Sequence, residues 1–91
     1  MVTVNFHTNK KISPVFLENI YRATELMVIM KGSLKSLPKN IHWHLKKGRE
    51  NGVLEITLIT ATREVILSCK INRTAVWIPG AMRELKEKLS V

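Results

Sequence analysis

The sequence predicts an α+β fold: a single small domain, residues 1–91, whose antiparallel sheet has two helices packed on one face. The chain has 91 residues and 45% of them are apolar, so it can bury one hydrophobic core. Apolar side chains alternate along several short segments, as they do in half-buried strands. Two other segments space their apolar residues three and four apart, as amphipathic helices do. In order, these patterns predict β-α-β-β-β-(β)-α.

The N-terminal part of the chain predicts a short strand followed by the longest helix. Apolar and polar residues alternate over residues 2–7, which is the period of a half-buried strand. Ser13 and Pro14 are typical of an N-cap and first helical position, and Gly32 is typical of the residue after a helix C-terminus. We therefore expect the first helix over residues 14–31.

The predicted end of that helix is more apolar than one buried face requires, because residues 26–30 are apolar on every side. Either a second layer of the fold covers these side chains or another copy of the protein does, since sizeable exposed apolar patches often mark interfaces. In the second case the function is an alternative one, a protein-interaction or regulatory module that acts through the first helix and can form a homodimer. Its expected contacts are Leu26, Ile29 and Met30.

The middle of the chain predicts three antiparallel strands in a meander. Apolar and polar residues alternate over residues 41–46, and Asn51-Gly52 is a common turn pair. A hairpin should therefore lead into a second strand at residues 54–59. The same alternation resumes over residues 65–71 and predicts the third strand.

Two tryptophans and a last helix complete the predicted fold. Trp43 is expected in the core, because its neighbours on the same face of the strand are apolar. Residues 74–78 predict a further short strand, in which the alternation leaves the direction of Trp77 open. Pro79 suits the first turn of a helix, and the spacing of apolar residues after it predicts an amphipathic helix.

A basic stretch, residues 31–49, dominates the charge of the chain. It carries six lysines and arginines and no acid, and therefore +6 of the formal net charge of +8. A positive field of this kind attracts polyanions, of which phosphate backbones are the commonest. Strand geometry sends His42, His44 and Lys46 to the open face of the sheet, where rings can stack on bases while cations hold phosphates.

We therefore predict a non-catalytic nucleic-acid-binding module that uses the open sheet face and a basic hairpin. Single-stranded DNA or RNA is favoured over duplex DNA, because the sequence has no helix-turn-helix spacing and no strongly basic recognition helix. The residues predicted to bind nucleic acid are Lys35, Lys39, His42, His44, Lys46, Lys47, Arg49 and Lys70.

His42 and His44 also raise the question of a metal site, since they project from the same face of one strand. A zinc site uses three or four protein ligands. Cys69 is expected on the opposite, apolar face, which leaves only the distant Glu55 or Glu64 as a third ligand. We therefore expect no bound metal and no cofactor.

A second alternative is a small, metal-independent ribonuclease. His42 or His44 would act as general acid or base, because the unperturbed pKa of histidine is close to neutral. Lys46, Lys47 or Arg49 would stabilise the negative charge on the reacting phosphorus group.

In layout alone, the order of strand, helix, basic strand and two further strands resembles bacterial mRNA-cleaving toxins, which implies RNA cleavage. Those toxins have a second helix where residues 32–40 lie here, and an arginine-rich last strand that this sequence lacks. The α-β-β-β-α order from Pro14 onward also resembles double-stranded-RNA-binding domains and the Alu-binding proteins of signal recognition particle. The paired-lysine motif that should open the second helix of the double-stranded-RNA-binding domains is replaced here by residues 79–82 (Pro-Gly-Ala-Met). No family is assigned.

The cysteine content and hydropathy predict a cytoplasmic protein. Cys69 is the single cysteine and cannot form an internal disulfide, and the start of the chain does not resemble a signal peptide. The most apolar run, residues 26–30, is far shorter than the ~20 residues of a membrane span. No membrane partner is expected.

Overall fold

The structure, a computed structural model, describes residues 2–8, 12–34 and 37–89. These residues form an open sheet of five antiparallel strands and two helices. The strands are β1 (Val2–His7), β2 (Met27–Leu34), β3 (Leu37–Lys46), β4 (Leu54–Ile59) and β5 (Glu64–Cys69). The helices are α1 (Pro14–Ala23) and α2 (Trp77–Leu89). The strand order across the sheet is β1-β5-β4-β3-β2. The predicted α+β class is confirmed.

Both helices pack on the same face of the sheet. Trp43 of β3 lies beside Ile56 of β4, which lies beside Leu67 of β5, and all three are fully buried. The Tyr21 ring of α1 meets the Trp43 ring edge to face with centroids 5.5 Å apart, and Leu85 of α2 joins the same buried cluster. Because side chains alternate along a strand, the residues before and after each of these three point to the other face, which neither helix covers.

With 10 residues in α1 and 13 in α2, neither described helix is long and apolar enough to cross a bilayer.

The first helix ends at Ala23, well before its predicted end. Glu25 takes a left-handed backbone with φ of 65°, which turns the chain out of the helix. The N–H of Glu25 donates to the Arg22 carbonyl (3.1 Å), and the N–H of Leu26 donates to the Tyr21 carbonyl (2.8 Å). This is a Schellman arrangement, which usually has glycine at the left-handed position. Glutamate at this position gives no such signal in the sequence.

Residues 27–34, most of which were predicted as helix, form the edge strand β2 instead. They pair with β3, and the register shifts at Ile29, where the chain bulges. A short apolar run fits a buried helical turn or a strand equally well, and the β-branched Val28 and Ile29 suit a strand.

The further strand predicted over residues 74–78 is also wrong. Residues 71–73 form a 3-10 turn, and α2 begins at Trp77. Pro79 is thus the third residue of α2, where a missing N–H removes no intrahelical hydrogen bond. Trp77 is only 8% exposed, and its Nε1–H donates to the carbonyl of Asn51 at 2.7 Å. This tryptophan therefore belongs to the interior.

The loop between β3 and β4 packs against the segment that follows β5. The N–H of Val53 donates to the carbonyl of Arg73 at 2.9 Å. Gly52 has a φ of 99°, and a Cβ there would lie 2.6 Å from the Cβ of Ala75. Both the backbone conformation and the space therefore require glycine at this position.

Replacing Gly52 by alanine should destabilise the fold by roughly 2–5 kcal/mol, because a steric clash adds to the cost of a left-handed backbone. Gly48 provides the matched control, since its φ is 55° and a Cβ there meets no atom within 4 Å. Gly48→Ala should cost only about 1–2 kcal/mol. Urea unfolding of the two variants measures the difference, and equal losses would contradict the packing of this loop.

Candidate functional site

The sheet face that neither helix covers carries two histidines and one glutamate on β3 and β4. The register places His42 beside Thr57 and His44 beside Glu55. These residues alternate with core residues on the same strands, so they point away from the helices. We call His42, His44 and Glu55 the His-Glu cluster.

Three side-chain atoms of the His-Glu cluster lie close to one another. Nε2 of His42 lies 3.1 Å from Nε2 of His44 and 3.2 Å from Oε1 of Glu55. The third separation, between His44 Nε2 and Glu55 Oε1, is 3.4 Å. The other ring nitrogen of His42, Nδ1, lies 2.7 Å from the hydroxyl oxygen of Thr57. The expectation that Glu55 is too distant to join the two histidines is therefore wrong, because the strand register brings it to them.

The His-Glu cluster is partly shielded from solvent. The exposed fraction of the side chain is 20% for His42, 17% for His44 and 11% for Glu55. This burial lowers the pKa of His44 below its ordinary value, and the nearby Glu55 carboxylate opposes that shift. The charges of His42, Arg73 and Lys70 lower the pKa further. Burial therefore favours the neutral form of the His44 imidazole, which offers a nitrogen lone pair to a proton or a metal ion.

This geometry changes the role predicted for the two histidine rings. They meet edge to face, with centroids 5.0 Å apart and planes at 75°. Both rings contact Glu55, and most of each side chain is shielded. Little of either ring is left for a nucleic-acid base to stack on.

A group of cations lies at one end of the sheet. β3 and β5 run in the same direction, because each is antiparallel to β4 between them, so their C-terminal ends lie at the same end of the sheet. The contact between the loop after β3 and the segment after β5 holds these two connections together. We call the cations at and after the C-terminal ends of these two strands the basic end: Lys46, Lys47, Arg49, Lys70 and Arg73.

The five cations of the basic end have no acidic partner within 4.0 Å among the residues that the structure describes. Arg49, Lys70 and Arg73 are exposed, while Lys46 and Lys47 are half-buried. Four of the five were predicted from the sequence, and Arg73 was missed. The signal for Arg73 was its position just after a predicted strand that runs parallel to β3.

Within the described part of the chain, Lys31, the first cation of the basic stretch, forms an ion pair, unlike the cations of the basic end. Nζ of Lys31 pairs with Oε2 of Glu18 at 2.7 Å, and the Nε1–H of Trp43 donates to the same oxygen at 3.1 Å. The contact with Lys31, and then that with Trp43, holds the pKa of Glu18 below its ordinary value. Lys31 therefore helps to fasten α1 over β2 and β3. The side chains of Lys35 and Lys39, also predicted to bind, lie outside the described residues.

The residues predicted to form a dimer surface on the first helix do not lie on that helix in the structure. Leu26 is 3% exposed and packs in the core, so its predicted role as a dimer contact is wrong. Ile29 and Met30 are 48% and 43% exposed, but they lie on β2 at the edge of the sheet. With Met27 and Val28, they form four consecutive exposed apolar residues on an edge strand.

Comparisons with known proteins do not indicate a function. No protein-family profile, no curated protein and no solved structure gave a significant match to this chain. The function must therefore be inferred from the His-Glu cluster, the basic end and the exposed edge of β2.

In metal-free buffer, His44 should titrate below the ordinary pKa of histidine. Replacing Lys70 and Arg73 by glutamine should raise its midpoint, because two positive charges no longer oppose protonation. As the pH falls, the unfolded chain takes up this proton first, so acidification destabilises the fold. NMR titration of the ring signals measures the midpoint, with Arg83→Gln plus Lys88→Gln on α2 as the control of equal charge change. The same midpoint in all three proteins would show that Lys70 and Arg73 lie too far away to act.

Proposed function

We propose that the chain is a nucleic-acid-binding module that holds phosphates at the basic end and lays the strand across the uncovered sheet face. One observation supports this proposal above all: five cations without ion-pair partners among the described residues lie at one end of a single sheet. Cations packed together repel one another, and a phosphate backbone supplies the missing negative charges at regular spacing. Even with Glu50 in the same loop, the charge of the basic end is positive.

A single strand, or an RNA loop, suits this surface better than duplex DNA. Both α1 and α2 pack on the opposite face of the sheet, so neither helix can enter a major groove beside the basic end. An open sheet face bordered by cations is a common platform for single-stranded nucleic acid.

Binding to this face should depend mainly on charge, because no phenylalanine, tyrosine or tryptophan ring is displayed there and the two imidazole rings are largely shielded. The chain has five phenylalanine, tyrosine and tryptophan residues. Phe6, Tyr21, Trp43 and Trp77 are buried in the core, and the half-exposed Phe16 lies on α1. Without a freely exposed ring for bases to stack on, we expect a steep dependence on salt and little sequence preference.

Lys46→Glu combined with Lys47→Glu should abolish binding to single-stranded oligonucleotides, because repulsion replaces two phosphate contacts. The milder change of both residues to glutamine should reduce the slope of log affinity against log salt by about 1.4, at about 0.7 for each contact with a single strand. Fluorescence anisotropy with labelled single-stranded DNA, single-stranded RNA and duplex DNA across a salt series measures both effects.

The matched control reverses two exposed cations on α2, Arg83→Glu with Lys88→Glu, which gives the same change in net charge. It should retain binding, because α2 lies on the opposite face, and circular dichroism checks that both variants fold. If the control loses as much affinity, or if Lys46→Glu with Lys47→Glu binds as tightly as the wild type, the basic end is not the binding surface. Specific cleavage of the RNA in the same samples would favour the ribonuclease alternative, with the two histidines of the His-Glu cluster as acid and base.

Self-association is a second candidate function, favoured by the exposed apolar residues 27–30 on β2. A sheet edge presents unpaired N–H and C=O groups that can accept another strand, and apolar side chains add buried area. A second copy that presents the same strand in antiparallel orientation would form a closed two-fold pair. The homodimer predicted from the sequence would then use an edge strand and not a helix.

If β2 forms this dimer, Ile29→Glu should convert it to monomers, because two like charges would meet in an apolar interface. Sedimentation velocity over a concentration series measures the change. Val76 is 97% exposed and lies outside β2, so Val76→Glu is the matched control and should leave the dimer intact. A wild-type chain that sediments as a monomer at every concentration contradicts this second candidate.

A further inference from the structure

The structure assigns a single-ion site for a transition-metal dication of the Zn²⁺ class to the His-Glu cluster. The donor atoms are Nε2 of His42, Nε2 of His44 and Oε1 of Glu55, which lie within 4.8 Å of one another. This site rests on its own donor atoms and does not require that the chain binds nucleic acid.

The spacing of the three donor atoms matches a tetrahedral metal centre. In such a centre, ligand atoms about 2.0–2.1 Å from the ion lie about 3.3–3.4 Å from one another. The separations in the His-Glu cluster are 3.1, 3.2 and 3.4 Å. The side chains therefore need only small movements to hold an ion at their centre.

The chemistry of the donor atoms selects the class of metal. Two imidazole nitrogens and one carboxylate oxygen suit Zn²⁺ and its neighbours in the first transition row, whereas Mg²⁺ and Ca²⁺ prefer sites made of oxygen alone. Cys69, the only cysteine in the chain, is buried on the opposite face of the sheet. A thiolate therefore does not contribute to this site.

The contact between Thr57 and His42 is a second, independent observation in favour of the metal site. A histidine that binds a metal through Nε2 keeps its proton on Nδ1 and donates it to a neighbouring oxygen. The hydroxyl of Thr57 lies 2.7 Å from Nδ1 of His42 and can accept that proton. The Nε2 lone pair of His42 then faces a carboxylate oxygen of Glu55 at 3.2 Å, and a cation between them converts repulsion into attraction.

The site leaves one coordination position open toward the uncovered face. Three protein ligands with a fourth position for water or substrate are typical of catalytic zinc sites, whereas structural sites have four protein ligands. The positive charges of Lys70 and Arg73 lie near enough to His44 to disfavour a further positive charge there. An anionic fourth ligand, such as hydroxide or a phosphate oxygen, is therefore favoured at the open position.

Isothermal titration calorimetry with ZnCl₂ tests the site on the full chain, without a histidine tag and after EDTA treatment and dialysis. Zn²⁺ should bind at one ion per chain, and Co²⁺ should give the visible absorption of a tetrahedral complex. His42→Ala, His44→Ala and Glu55→Gln should each weaken Zn²⁺ binding by more than about 100-fold, and Thr57→Val by roughly 10-fold.

His7→Ala is the matched control, because His7 is exposed on β1 at the opposite edge of the sheet from β2. It should bind Zn²⁺ like the wild type. Zn²⁺ should also raise the Tm of the wild type and of His7→Ala but not that of His44→Ala, and the same melting curves show which variants fold. Where an alanine variant does not fold, the corresponding glutamine variant replaces it.

Three results would overturn the metal site. The wild-type chain could take up neither Zn²⁺ nor Co²⁺, or His7→Ala could lose affinity as fully as His42→Ala. A stoichiometry of one ion per two chains would place the metal between copies and not within the His-Glu cluster. Because no nucleic acid is present in these titrations, their failure is distinguishable from failure of the proposed binding function.

Discussion

The register between β3 and β4 is the constraint on which both the core and the candidate site depend. On one face it places Trp43 beside Ile56 in the buried core, and on the other it places His44 beside Glu55. A slip of one residue would exchange the two faces, expose the indole and turn the imidazoles toward the helices. The burial of Trp43 and its apolar neighbours therefore also holds the His-Glu cluster in position.

The electrostatics of the uncovered face follow from the same sheet. Because β3 and β5 run in the same direction, the cations of the basic end lie at one end of the sheet, where they have no ion-pair partner among the described residues. Glu55 lies beside the two imidazoles instead. The proposed metal site and the proposed phosphate surface are physically compatible. A dication in the His-Glu cluster would add positive charge beside the basic end and strengthen the attraction for an anionic ligand.

The wrong predictions of secondary structure fall where a local pattern fits two structures. The apolar run at residues 26–30 suits the end of a helix or an edge strand, and the left-handed turn at Glu25 that separates them has no glycine to mark it. Gly32, taken as the end of the helix, lies inside β2. Residues 74–78 alternate like a strand, but α2 begins within them, at Trp77. Trp77 is buried there and donates a hydrogen bond to the β3–β4 loop.

The sequence by itself determined the α+β class, the succession of β3, β4 and β5, and the face on which His42 and His44 lie. Alternation and helical spacing are local properties, and they decide which side of a strand or helix a residue occupies. Only the tertiary structure decided that Glu55 reaches both imidazoles and that Arg73 joins the basic end. Those contacts depend on strand register and on the packing of distant loops, which the pattern within a single segment does not specify.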